Sequence, residues 1–165
     1  MLDRKRRDEQ FRTFFLEEGE RLRRLAIFLT GDAEGAGDLA QEALARLYKH
    51  WGRVRNDDPG PYVRRILVNL VRSKHRRKVL DKRHLQVVRS EEASPAPRIA
   101  EAMRVAEALS ALSPIRRATI VLRFYEDMSE SQIAATLERP LGTVKSDIHR
   151  GLAQLQPLLE DRELA

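Results

Sequence analysis

Residues 129–155 read SESQIAATLERPLGTVKSDIHRGLAQL, two helical patterns separated by a short break. Ser129 and Gln132 have capping-box spacing, which predicts a helix from Glu130 to Leu137. Glu138 to Leu141 interrupts the pattern, and a second helix is expected from about Gly142 to Leu159. A joint of about four residues is the length a helix-turn-helix requires. Ile133, Ala134 and Leu137 supply an apolar face on the first helix, and Val144, Ile148, Leu152 and Leu155 a matching one on the second. Those faces hold the pair together. The remaining surface carries Thr143, Lys145, Ser146, His149 and Arg150. Lys145 lies four residues before His149, as Ser146 does before Arg150, so two adjacent polar rows form. A recognition helix presents such residues to base edges in the major groove, where Lys and Arg pair with guanine and Ser or Thr serves base or phosphate. A plain helical hairpin with a solvated polar face has the same periodicity, and the pattern alone leaves both readings open.

Upstream, Ser113-Pro114 is a helix start, with Ser as N-cap and Pro in the first turn, and this helix runs to about Tyr125. Another is expected from Glu101 to Leu112. Before it, Ser90 to Arg98 (SEEASPAPR) has two prolines and no large cluster of apolar groups, the composition of a linker. The N-terminal half predicts three helices: about Asp8 to Leu29, then Asp32 to Trp51, then Pro61 to Lys78 with a basic tail through Lys82, Arg83 and His84. Gly31 and Asp32 close one helix and cap the next. Asn56-Asp57-Asp58-Pro59-Gly60 forms a turn-rich loop. No β-strand is expected, since Val87-Val88 is too short to stand alone. The fold class is therefore all-α, two small helical domains joined by a linker.

Composition supports this organisation. A chain of 165 residues is long enough for two small domains. The net charge of +6, from 31 Lys and Arg against 25 Asp and Glu, suits a polyanionic partner. Absence of cysteine excludes disulfides and thiolate metal sites. Met1 to Gln10 is highly charged and not a secretory signal, and no run is apolar enough to span a membrane, so a cytoplasmic protein is expected. His50, His75, His84 and His149 are scattered. There is no Gly-rich phosphate loop, and Asp57-Asp58 reads as a turn former. No enzyme activity, metal or cofactor is expected.

Two outward faces stand out in the N-terminal half. On the second helix, Leu39, Ala43, Leu47 and Trp51 form the buried stripe and leave Asp38, Gln41, Glu42 and Arg46 facing outward. On the third, Val63, Ile66, Leu67, Leu70 and Val71 point inward, while Arg65, Asn69, Arg72 and Arg76 follow one another at spacings of four, three and four. Guanidinium groups with an amide among them suit a nucleic-acid backbone and an exposed base. A solubilising charged face is the alternative.

Beyond these patterns, LSPIRRATIVLRFYEDMSESQIAATLERPLGTVKSDIHRGLAQL, residues 112–155, resembles the C-terminal region of sigma-70 family factors, particularly the extracytoplasmic-function (ECF) type. The resemblance implies a domain that binds the −35 promoter element and docks on the flap of RNA polymerase, with Thr143, Lys145, Ser146, His149 and Arg150 at the DNA. DLAQEALARLYKHW, residues 38–51, resembles the family's helix that binds the clamp helices of the largest polymerase subunit, which implies core contacts by Asp38, Gln41, Glu42 and Arg46. PYVRRILVNLVRSKHRRK, residues 61–78, and the loop before it resemble the −10 reader. That implies Arg65, Asn69, Arg72 and Arg76 at the −10 element and a pocket for a flipped base around Asn56, Asp57 and Tyr62. One residue departs from the pattern. The position after Lys-Ser is often Arg in the family and here is Asp147, which repels phosphate unless it pairs with a neighbouring base such as Arg150. The implied division is a sigma region 2-like domain over residues 1–88, a linker over 89–100, and a sigma region 4-like helix-turn-helix domain over 101–165. The implied partners are core RNA polymerase and promoter DNA, with an anti-sigma factor as a further partner of many family members. Two rivals remain at this point: a stand-alone helix-turn-helix regulator that acts on duplex DNA without the polymerase, and a protein-interaction module.

Overall fold

Gly31 turns the first corner of the chain. Its φ of 69° is left-handed, and its N–H donates to the Ile27 carbonyl at 2.7 Å, which ends α1 (Leu2–Thr30). Asp32 then caps α2 (Ala33–Val54) by accepting the Gly35 N–H at 2.9 Å. Partial burial raises the Asp32 pKa, but that N–H and the Lys74 ammonium outweigh it and hold the carboxyl below its usual value. The second corner uses Pro59, which tolerates the first turn because it has no N–H to lose. Hence α3 (Pro59–Asp81) opens before the expected Pro61.

The computed structural model describes residues 2–81 and 96–163, and all the regular structure among them is helical. Lys82 to His84, Val87-Val88 and the linker up to residue 95 lie outside the described residues. The first three helices pack as one bundle around Leu22, Leu25, Leu44, Leu47, Val63 and Leu67, all fully buried. Trp51 closes one end, 5.2 Å from the Phe11 ring and 5.3 Å from that of Phe14. Phe15, on the same helix, is 39% exposed. The early turns of α1 continue beside the end of α2, where the Tyr48 hydroxyl donates to Asp8 at 2.7 Å. This accounts for a helix that begins well before Asp8.

The second half holds α4 (Pro97–Leu109), α5 (Pro114–Phe124), α6 (Glu130–Leu137) and α7 (Leu141–Glu163). α4 starts and ends earlier than the expected Glu101 and Leu112, again with Pro in the first turn. Ser113 takes the N-cap place of α5, yet its hydroxyl makes no capping bond. At α6 the capping box is complete: Ser129 Oγ accepts from Gln132 N at 3.2 Å, and Gln132 Oε1 accepts from Ser129 N at 2.8 Å. The buried stripe of α7 is Val144, Asp147, Gly151 and Leu155, with Ile148 half-buried, whereas the expected Leu152 is 45% exposed. Gly151 explains the rotation. A Cβ there would lie 2.7 Å from Ile120 Cγ1, so only glycine lets α7 approach α5 this closely.

α4 and α5 also pack on α1. The last turns of α1, Leu25 to Leu29, are consequently buried on every side. Phe28 meets Tyr125 edge-on with ring centres 4.8 Å apart.

Candidate nucleic-acid interface

The helix-turn-helix is formed by α6 and α7, with Glu138, Arg139 and Pro140 between them. Lys145, Ser146, His149 and Arg150 are exposed together on one side of α7, and Thr143 is half-buried at its start. Lys145 lies 3.8 Å from Glu130, a contact loose enough to leave the ammonium available. Asp147 does not point at these residues. It is 6% exposed, and its partners are Arg139, with Nη2 3.1 Å from Oδ2, and Arg116, with Nε 3.7 Å from Oδ1. The expected pairing with Arg150 is not formed, because Asp147 belongs to the inward stripe.

On α2, Asp38, Gln41, Glu42 and Arg46 are all exposed, and Glu42 pairs with Arg46 at 2.6 Å. The polar face is continuous and faces away from the core. In the α2–α3 loop, Asn56 and Asp57 are exposed, and Tyr62 packs edge-on against His50 at 6.1 Å. Asp58 accepts the Gly60 N–H at 3.0 Å, which orders the start of α3.

The basic face of α3 is exposed at Arg65, Asn69, Arg72 and Arg76, but it is not open along its length. Arg65 donates to Glu138 of the helix-turn-helix at 2.7 Å. Arg72 and Arg76 line a cleft of about 340 Å³ whose far wall is Pro114, Ile115, Arg117 and Ala118 of α5. The C-terminal half therefore stands beside the helix expected to meet −10 DNA.

Three charged residues that the sequence reading did not single out hold the halves together. Arg64 is buried and reaches both Glu126 and Glu18, the latter at 2.9 Å. Glu126, whose side chain is fully buried, also faces Arg21 at 3.3 Å. Arg117 donates to the carbonyls of Leu29 at 3.1 Å and Leu109 at 3.0 Å, so one guanidinium caps the ends of α1 and α4. Burial lowers the Arg117 pKa, though a guanidinium stays charged at any physiological pH. Burial raises the Tyr125 pKa in the same contact zone. Among the described residues no group of His, Asp and Glu could hold a metal, and no helix is long and apolar enough to cross a membrane.

An exposed helix-turn-helix, docked on a three-helix bundle with its own basic helix, defines a two-part, all-helical protein of the DNA-binding class. The comparisons narrow the class. Residues 14–79 match the family model for sigma-70 region 2, and residues 102–155 match that for sigma-70 region 4. The RNA polymerase sigma-E factor of Streptomyces coelicolor is 33% identical over 162 residues, 94% of this chain and 89% of the relative. The ECF RNA polymerase sigma factor SigL of Mycobacterium tuberculosis is 32% identical over 91% of this chain and 89% of its own. Among solved structures, the sigma factor RpoE of Bartonella quintana, in complex with the anti-sigma factor NepR, superposes with a TM-score of 0.67 at 26% identity, covering 91% of this chain and 96% of that one. CnrH, in complex with the cytosolic domain of CnrY, shares the fold at 23% identity and a TM-score of 0.65, covering 92% of this chain and 88% of that one. The chain belongs to the sigma-70 family of RNA polymerase sigma factors, and within it to the ECF type. That family consists of transcription initiation factors rather than enzymes, and membership favours polymerase-dependent action over a stand-alone regulator.

Proposed function

We propose that this chain acts in the cytoplasm as a two-point promoter reader on core RNA polymerase, with its division of labour set by the domain bounds 1–88, 89–100 and 101–165. Lys145, Ser146, His149 and Arg150, with Thr143, read the −35 duplex. Arg65, Asn69, Arg72 and Arg76 take the −10 strand, with Asn56, Asp57 and Tyr62 around a flipped base. Asp38, Gln41, Glu42 and Arg46 meet the polymerase clamp. The supporting observation is that one exposed polar face on α7 carries four adjacent side chains able to contact bases or phosphates, while Val144, Gly151 and Leu155 on its other side are buried in packing.

Geometry adds a requirement. The −35 and −10 elements lie roughly 85 Å apart along B-DNA at about 3.4 Å per base. A compact chain of this size has a radius of gyration of only about 15 Å. The two halves must separate to reach both elements, and the arrangement seen here is the closed one. Any partner that favours it, such as an anti-sigma factor of the kind bound to RpoE, would keep the chain from the promoter.

Reconstitution tests the reading. Core RNA polymerase supplemented with the purified chain should select a specific promoter from a randomised pool and start transcripts there. Loss of selection without loss of core binding would remove the DNA roles. No association with core would remove the clamp contacts.

A further inference from the structure

Three arginines converge beside the first half of α7. Arg116 comes from α5, Arg139 from the corner before α7, and Arg150 from α7 itself. All three line one open depression of about 490 Å³, together with Ser113, Thr143 and Ser146. Thr143, Ser146 and Arg150 already belong to the proposed −35 face. Arg116 and Arg139 do not, yet they share the same hollow. Its lining contains a single carboxylate, Asp147, so three guanidinium groups leave it strongly positive.

Asp147 is placed where it orders arginines rather than meets solvent. Its side chain is 9% exposed, against 22% for Arg116 and 31% for Arg139. One oxygen faces each guanidinium, and Gln154 holds Arg116 from the other side, accepting from Nη1 at 2.6 Å. A guanidinium has five N–H donors, and these contacts leave donors over on both residues. Phosphate contacts set the register of a protein on DNA, and a fixed planar fork is the group best suited to make them.

We propose that Arg116 and Arg139 grip backbone phosphates beside the −35 bases, and that Asp147 is a positioning residue that holds both forks in line with the reading face of α7. This rests on the −35 role of α7 and adds to it a phosphate grip outside that helix's exposed face. An acid that merely repelled DNA would act in the opposite direction. Neutralising it would tighten binding, whereas neutralising a positioning residue loosens it.

The test uses holoenzyme made from core RNA polymerase and the full chain, on a duplex selected by the wild-type holoenzyme from a randomised pool. Affinity is measured across a salt series. Arg139→Gln and Arg116→Gln should each lower the slope of log affinity against log salt by about one, equally on matched and mismatched −35 sequences. Asp147→Asn should weaken binding severalfold, and less so once both arginines are already replaced. Arg139 is the more exposed of the two, so Arg139→Gln carries the test if Arg116→Gln does not fold. Unchanged slopes in the folded arginine variants would overturn the phosphate grip. Tighter binding by Asp147→Asn would overturn the positioning role. Arg150→Ala separates this inference from the reading beneath it: if no −35 preference exists to be altered by that variant, the promoter reading itself has failed.

Discussion

On α7, Lys145, Ser146, His149 and Arg150 stand on an open face, whereas on α3 Arg65 is bound to Glu138, and Arg72 and Arg76 look into a cleft closed by α5. Both helices carry basic and amide or hydroxyl groups gathered on one helical face, so composition does not produce the difference. Position does. α7 packs inward on α5 and α6 and leaves its far side to solvent, while α3 lies between its own bundle and the docked C-terminal half. The closed arrangement therefore obstructs the proposed −10 face and spares the −35 face. What keeps it closed is partly a buried ion pair, whose desolvation cost makes it a poor source of net stability but a sensitive point of failure.

The largest effect is expected at that pair. Glu126→Ala would leave Arg64 buried with Glu18 alone. Removing one partner of a buried pair costs about 3–5 kcal/mol, and the remaining Glu18 contact argues for the lower end. The loss falls on the junction between the halves rather than on either one. Small-angle scattering should show an increased radius of gyration while circular dichroism retains the helical signal. An unchanged radius would mean that the apolar contacts of α1 with α4 and α5 suffice, and that α3 is obstructed without help from the charges.

Next comes the open face. Arg150→Ala should weaken −35 binding by roughly 1–3 kcal/mol and relax base preference at one position, with no change in radius. Equal binding to all promoter variants by both proteins would make Arg150 a bystander. A somewhat smaller effect is expected inside the helix-turn-helix. Gly151→Ala places a Cβ 2.7 Å from Ile120 Cγ1 and 3.3 Å from Arg116 Cγ. Overpacking costs about 1–3 kcal/mol, partly offset by the roughly 1 kcal/mol by which Ala surpasses Gly in a helix. A net loss of about 1 kcal/mol should appear as a lower melting temperature. A higher one would show that α7 can shift away from α5 freely.

Much of this structure is local, and the local part was readable. The α6 bounds follow from Ser129, Gln132 and Leu137 because a capping box is decided within four residues. Gly31 and Asp32 marked the first corner for the same reason. Periodicity sets the stripe of α7 one residue off, at Leu152 instead of Gly151. Periodicity favours large apolar residues and gives no weight to a glycine that admits a neighbouring helix. The resemblance sets Asp147 beside the DNA-facing residues with Arg150 as its partner, whereas its actual arginine partners lie on α5 and in the corner before α7. The junction was beyond reach altogether. Arg64 and Glu126 are 62 residues apart, and Arg117 and the Leu29 carbonyl 88, so no window of sequence contains both members. The burial of Leu25 to Leu29 on all sides has the same origin, the docking of the second domain on α1, which no helical period announces.

The smallest effect is expected at the exposed link between the two faces, and it sharpens the comparison most. Glu138 ends α6 with a φ of 54°, a left-handed conformation that glycine adopts without strain and that costs other residues about 1–2 kcal/mol. Its side chain is 69% exposed where it pairs with Arg65, so solvent screening leaves that pair worth at most about 1 kcal/mol. Glu138→Gly relieves the strain and loses the pair, and the two terms nearly cancel or favour the variant slightly. The melting temperature should therefore hold or rise by a few degrees. The radius of gyration should stay at its wild-type value, because Arg64 and Glu126 remain in place. Arg65 would then be free on a molecule that is still closed. An expansion as large as that of Glu126→Ala would show that the surface pair, not the buried one, governs closure, and the contrast between the covered and open helices would rest on a single exposed glutamate.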